Sequence, residues 1–338
     1  MNQMAIAFSK LQSQLNKGCE YKDCFYSNCS SKVINAHSIQ NNKILNKISD
    51  DGDVLGIKVK INKFGFPKPT LERIGRKKAS TFLGFCNEHD TNIFKPIELY
   101  DYKIGNKEQE FLFAYRALAK EYNTKRTVKN LYEKMLSLSK EELIDLRKFC
   151  GIPIDIGLND YKKHLKLISR GTNESIEKLE SLKIPMNINL GKDKFYKIES
   201  KVIELPEEYH IAVSSLFFIE WDVEGNLIND LIYYKNIKPI FLTIFPQNQK
   251  TFIIMSYLQQ HKNYFEFIDN QILNRALEKQ KVIVSNMVTL YVENVYLSPI
   301  KWESLSEKEK RDYLKLYDMS LFSKPNSLLV DPKMDIFI

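Results

Sequence analysis

The sequence predicts an α+β chain made of an N-terminal module clipped by zinc, a helical connector, and a C-terminal α+β domain built on an antiparallel sheet of about five strands. Three observations carry this expectation. Cys19, Cys24, Cys29 and Cys86 crowd the first quarter of the chain, with Cys150 alone beyond it. Helical spacing dominates from Glu108 to Leu182. From Phe195 to Tyr257 the pattern changes to β-branched and aromatic runs punctuated by turn residues. With 338 residues the chain is long enough for two cores, and the expected boundaries are 1–125, 126–190 and 191–338.

The bulk composition excludes several classes. At 43% hydrophobic and 27% charged, with 12 Gly and 11 Pro, the chain is neither collagenous nor low-complexity nor wholly disordered. Its longest apolar runs, such as Phe252-Ile253-Ile254-Met255, fall well short of the roughly 18 residues that cross a bilayer. Met1 to Lys17 lack the basic start and apolar centre of a secretory signal, so the expected location is cytoplasmic.

Charge is unevenly placed. Residues 1–80 hold 14 Lys+Arg against 6 Asp+Glu, which accounts for the whole net charge of +8. A basic segment beside a neutral remainder suits a module that meets phosphate, and Arg73, Arg76, Lys77 and Lys78 form its densest stretch.

The cysteines fall into ligand-like pairs. Cys24 and Cys29 are spaced Cys-x4-Cys, and Cys86 and His89 are spaced Cys-x2-His. A tight turn can aim the first pair at one ion, and a helix start can aim the second, which completes a Cys3His tetrahedron for Zn²⁺. Cys19 stands Cys-x4-Cys from Cys24, so a register through Cys19 in place of Cys24 or Cys29 is open on spacing alone.

Between the pairs, Val33-Ile34 begin a strand that ends near His37, and Asp53 to Lys60 read as a second strand after the turn Asp51-Gly52. Phe64 to Pro69 read as a Pro/Gly loop leading into the basic stretch. Knuckle cysteines, a strand ending in His, and a helix opening with a second metal pair resemble the zinc-clipped HNH (ββα-metal, treble-clef) endonucleases, over about residues 19–100. The resemblance implies a DNA phosphodiesterase of the kind used in host defence and by mobile elements. It implies His37 as the general base, Asp90 as the helical ligand of a catalytic Mg²⁺ or Mn²⁺, and a structural zinc on Cys24, Cys29, Cys86 and His89. DNA rather than RNA is the implied partner. The sequence departs from the family pattern at Ala36, where Asp is usual, and at Ser80 to Leu83, where Asn is usual. Asn35, Asn87 and Asn92 stand nearby. The same module without catalysis would be a nucleic-acid-binding or protein-interaction unit.

The remainder carries less chemistry. Phe111, Tyr115, Leu118 and Tyr122 share one helical face and read as core. Ser139 to Glu142 and Ser306 to Glu309 read as capping boxes. Ile184 to Asp193 reads as a linker. Strands are expected over Phe195–Ile203, His210–Trp221, Leu231–Tyr234, Pro239–Phe245 and Thr251–Tyr257, followed by helical spacing over Tyr264–Lys281 and Val282–Tyr296 and a last helix over Glu307–Met319. Asp222 and Glu224 read as turn residues, and His164, His210 and His261 as structural. This half shows no phosphate loop, nucleophile elbow or His-Glu-x2-His, which leaves it a partner-binding, homodimerising or regulatory role.

Overall fold

The alternation of apolar side chains in the most buried strands explains the layering of the molecule. The computed structural model describes residues 13–61, 67–149, 156–231, 236–322, 327–329 and 333–337. In strand β7 (Ile240–Gln247), Ile240, Leu242 and Ile244 enter one core, while Phe241 and Phe245 enter cores on the opposite face. Strand β8 (Lys250–Leu258) behaves alike, with Ile253, Met255 and Tyr257 against Phe252 and Ile254. Each fully buried Ile, Leu or Phe contributes on the order of 1.5–3 kcal/mol, so a sheet apolar on both faces requires a cover on each.

The order of strands is β3-β2-β9-β6-β7-β8-β5, all neighbours antiparallel. The ranges are β2 Asp53–Ile61, β3 Pro67–Gly75, β5 Ile198–Leu205, β6 Ile211–Phe217 and β9 Val295–Leu297. The sheet therefore has seven strands where five were expected. One addition is β3, read in the sequence as loop and basic stretch. It is an edge strand, where Pro67 and Pro69 can be tolerated because one side needs no donors. Another is β9, which follows helix α5 (Leu277–Tyr291) where helical spacing was read through to Tyr296.

A separate two-stranded sheet pairs β1 (Val33–His37) with β4 (Thr81–Cys86), and β4 runs directly into helix α1 (Asn87–Glu98). Helix α2 (Lys107–Leu136) packs between this unit and the large sheet. Its Phe111, Tyr115, Leu118 and Tyr122 are all buried in the core that also holds Phe25, Phe85 and Leu216. Helix α3 (Lys140–Phe149) opens with the reciprocal Ser139–Glu142 capping box. Helix α4 (Leu158–Leu190) runs through Pro185, so the expected linker is helix almost to its end. α4 packs along α2, and α5 packs on helix α6 (Glu307–Phe322), which begins with the Ser306–Glu309 box.

Sheet and core both cross the expected boundaries at 125 and 190. Leu55 of β2 faces Leu297 of β9, and one core joins Cys24 and Phe85 to Leu182, Met186 and Phe241. The turn expected at Asp222 is present: its Oδ1 accepts the backbone N–H of Glu224 and Asn226 at 2.9 and 2.8 Å. The loop positions 64–66, Cys150 with the helix stop at 151–153, and most of the strand expected at Leu231–Tyr234 lie outside the described residues. No helix among the described residues is long and apolar enough to cross a membrane.

Candidate metal centre and the His37–Asp90 cluster

The ligand atoms of Cys24, Cys29, Cys86 and His89 all lie within 4.8 Å of one another. Cys29 Sγ and Cys86 Sγ are 3.8 Å apart. His89 Nδ1 is 3.5 Å from Cys24 Sγ and 3.2 Å from Cys86 Sγ. A zinc tetrahedron has S···S edges of about 3.8 Å and S···N edges of about 3.6 Å, from bond lengths of about 2.3 and 2.0–2.1 Å. These four residues can hold a metal ion, and their spacing is consistent with zinc. Cys19 is not among them; it lies buried, with Sγ 3.0 Å from the carbonyl of Leu15.

Local structure aims each ligand. Asn28, at φ 59°, turns the knuckle between Cys24 and Cys29. The backbone N–H of Phe25 donates to Gly84 O at 2.7 Å, which docks the knuckle on β4. A Cβ at Gly84 would lie 2.2 Å from the Phe82 ring, so only glycine fits beside that ring. Cys86 is the N-cap of α1 and takes the His89 N–H on its sulfur at 3.5 Å. The His89 ring stacks on Tyr26, with centroids 4.2 Å apart. Burial pushes the Cys24 thiol up to about 12. Burial also raises Cys29, but Ser31, Cys24 and Cys86 hydrogen bonds outweigh it and leave that thiol below its ordinary value.

The long helices secure the knuckle from behind. On α2, Asn123 donates to the carbonyls of Tyr21 and Leu83 at 2.9 and 3.0 Å, and Asn130 donates to that of Cys19 at 2.9 Å. On α4, Asn187 Oδ1 accepts the Ser27 N–H and the Tyr115 hydroxyl, each at 3.0 Å.

A second set of titratable groups, His37, Asp90, Glu98 and Arg116, interacts beside the β1–β4 pair. His37 pairs with Thr81, just after a register shift between Ile34 and Ala36. A bulge of this kind re-aims the side chains that follow it. Past His37, the Ser38 N–H and hydroxyl both donate to Ser80 O, at 3.0 and 3.1 Å, and fix the end of the strand. His37 Nε2 is buried without a hydrogen-bond partner among the described residues, and so is Asp90 Oδ1 on the first turn of α1. Glu98 and Arg116 act electrostatically on both groups, and His37 acts on Asp90.

The electrostatics follow from that surrounding. Burial pulls the His37 imidazole below its ordinary value, against the backbone of Arg76, the Glu98 carboxylate and the backbone of Lys77, which pull it up. Burial pushes the Asp90 carboxyl up, Arg116 pulls it down, Glu98 adds to the rise, and His37 lowers it. Arg116 is 4% exposed, donates to Glu98 Oε1 at 2.6 Å and lies 4.0 Å over the Phe94 ring.

Of the basic stretch, Arg73 is engaged by Asp50 and Glu303, and Arg76 donates to Asn41 Oδ1 at 2.9 Å. Lys77 and Lys78 are exposed on the turn between β3 and β4, beside His37. Asn35, Asn87 and Asn92 are all exposed. Sequence reading passed over Glu98 and Arg116. The signal for Arg116 was present: it is the one charge inside the run Phe111 to Ala119, where burial demands a partner.

Compared with family models, curated proteins and solved structures, the chain finds no match.

Proposed function

We propose that the chain is a zinc-clipped, treble-clef endonuclease of the HNH type that hydrolyses phosphodiesters in DNA. The observation that carries this reading is a pair of buried polar atoms without partners among the described residues, His37 Nε2 at the end of β1 and Asp90 Oδ1 at the start of α1, in groups that interact electrostatically. Buried polar groups left without a partner are costly, and a catalytic cleft is one setting that accounts for them.

A zinc on the Cys3His set would have a structural role. When bound, it would be held by Cys24, Cys29, Cys86 and His89 with no position left open, and it would tie the knuckle to β4 and to α1, the helix that carries Asp90. His37 acts as the general base. Its backbone contacts at Arg76 and Lys77 orient the ring, and burial favours the neutral form that can accept a proton. Nε2 takes a proton from water, the water oxygen bonds to phosphorus, and the ester P–O bond breaks as the leaving oxygen is protonated from solvent.

Asp90 Oδ1 is the hard oxygen that would hold Mg²⁺ or Mn²⁺, and the described residues place no second group of three His, Cys, Asp or Glu ligands around it, so phosphate and water oxygens would complete the shell. When bound, such an ion supplies positive charge to the reacting phosphate. Lys77 and Lys78, exposed on the adjacent turn, would meet the flanking phosphates.

The test is purified protein with plasmid, with and without Mg²⁺ or Mn²⁺, beside His37→Ala. Metal-dependent nicking that disappears in the variant is expected. DNA binding without nicking in either protein would replace this reading with a non-catalytic nucleic-acid-binding or adaptor module.

A further inference from the structure

The seven-stranded sheet is split along part of its length. β9 has three residues, whereas its neighbours β2 and β6 have nine and seven. It pairs with Leu55 and Gly56 on one side and with Ile211 to Val213 on the other. Beyond these pairs, among the described residues, the facing edges of β2 and β6 have no strand partner. A cleft of about 490 Å³ opens there, roofed by α2. That volume falls within the roughly 300–1,000 Å³ of small-molecule sites.

The lining has a definite chemistry. Lys120 projects from α2, and its one hydrogen bond among the described residues is a long one, 3.5 Å to Thr81 O. Burial pulls this ammonium down, against Glu121 and Glu293. An ammonium has three donors, so Lys120 has capacity left for an anion. The second lysine in the lining, Lys125, lies 3.3 Å from Glu121. The hydroxyls of Ser214 and Ser215 make no hydrogen bond among the described residues, and both residues line the cleft. Asn294 donates from Nδ2 to Ser38 Oγ at 2.9 Å and to Ser214 O at 2.6 Å, which leaves its amide oxygen as an acceptor. Tyr291 and Tyr296 add aromatic faces.

We propose that this cleft binds a nucleotide, free or as one unit of a strand, with a phosphate on Lys120, the base against Tyr291 and Tyr296, and its edge read by Ser214 and Asn294. Lys120, an aromatic wall and mixed donors and acceptors, in a lining that also holds Lys125, Glu121 and Glu293, match a ligand that carries one phosphate, a flat ring and a polar edge. The site stands apart from the catalytic reading, since none of its lining is His37, Asp90 or a zinc ligand. It nevertheless touches the β1–β4 pair. Tyr296 OH accepts the Ser80 N–H at 2.7 Å, Asn294 holds Ser38, and Lys120 reaches Thr81, so a ligand bears on both strands beside His37.

The experiment is calorimetric titration of the whole chain with the four ribonucleoside monophosphates, with inorganic phosphate and with a five-nucleotide single-stranded DNA. The proteins are wild type, Lys120→Met, Ser215→Trp and His37→Ala. At least one nucleotide ligand is expected to bind, with affinity about tenfold weaker or worse in both cleft variants and unchanged in His37→Ala. Binding of a monophosphate assigns the cleft to a free nucleotide, and binding of the oligonucleotide alone assigns it to a strand. No heat from any ligand at millimolar concentration would overturn the proposal. So would binding that survives both cleft variants, or inorganic phosphate binding as tightly as the nucleotides. Should Lys120→Met fail to fold, Ser215→Trp carries the comparison and Lys120→Arg is expected to retain binding.

Discussion

Asn187, one turn from the end of α4, accepts the backbone N–H of Ser27 at 3.0 Å across 160 positions of sequence, and so holds the metal knuckle to the helical layer. Its oxygen also takes the hydroxyl of the fully buried Tyr115. Asn187→Leu would leave both donors unmatched, at a cost of about 1–3 kcal/mol for each buried group left unsatisfied. Urea denaturation is expected to show this loss, together with faster release of metal to a chelator. Unchanged release would mean that the knuckle holds its own shape.

Cys86 is at once candidate ligand, helix cap and neighbour of two other candidate ligands. Cys86→Ser is expected to reduce bound zinc to well under one ion per chain and to lower the melting temperature more than Cys19→Ser, whose thiol lies outside the cluster. Metal analysis and thermal unfolding of the two variants check this. Equal zinc content in both would remove Cys86 from the site.

The imidazoles of His37, His210 and His261 are all lowered, chiefly by burial. A lowered histidine binds protons more readily unfolded than folded. Its contribution is therefore fully present above the unfolded value of about 6.5 and is lost as pH falls through the folded value. Stability is expected to decline on acidification from about pH 6.5, and His37→Asn is expected to flatten that decline. Denaturation midpoints from pH 8 to pH 5 read the slope, and identical slopes would exclude His37 as a contributor.

The Arg116–Glu98 pair has one buried end and one that is 34% exposed. Breaking a fully buried pair costs about 3–5 kcal/mol, and the exposed carboxylate reduces this to about 2 kcal/mol for Arg116→Met. A double-mutant cycle with Glu98→Gln should recover part of the loss, because the double variant leaves no unmatched charge. Strict additivity would mean that the two do not act together.

Lys77 and Lys78 are exposed, while Arg73 is held by Asp50 and Glu303. If DNA is the partner, Lys77→Ala and Lys78→Ala should each reduce the salt dependence of affinity by about one phosphate contact. Arg73→Ala should leave it nearly unchanged. Affinity titrations between low and moderate salt distinguish the three.

The metal centre was legible because its ligands come in two local pairs, and local spacing survives in a linear reading. The core role of Tyr115 and Tyr122 was legible for the same reason, as helical spacing is a short-range signal. The seven-stranded sheet was not. Its joins, Leu55 with Leu297 and Ile198 with Leu258, connect positions far apart in the chain, and β9 is too short to show a period. Pro67 and Pro69 disguised β3, since their cost depends on whether a strand is central or at an edge, and only the completed sheet decides that. The His37 surroundings were half legible: the strand end was visible, but Glu98 and Arg116 reach it from two different helices.

That shared sheet also sets an order of assembly during synthesis. The four metal ligands are all translated by residue 89, so an ion can close the knuckle early. The inner edge of β2 must wait for Leu297, by which time most of the chain has emerged. Through that interval β2 and β3 form a hairpin with an open flank, a template for pairing with another nascent chain. Early metal capture shortens the exposure of the β1–β4 unit but not of this hairpin. Starvation for zinc and slow translation of the last third are therefore expected to produce aggregates of different kinds, the first nucleated at the knuckle and the second at the flank of β2.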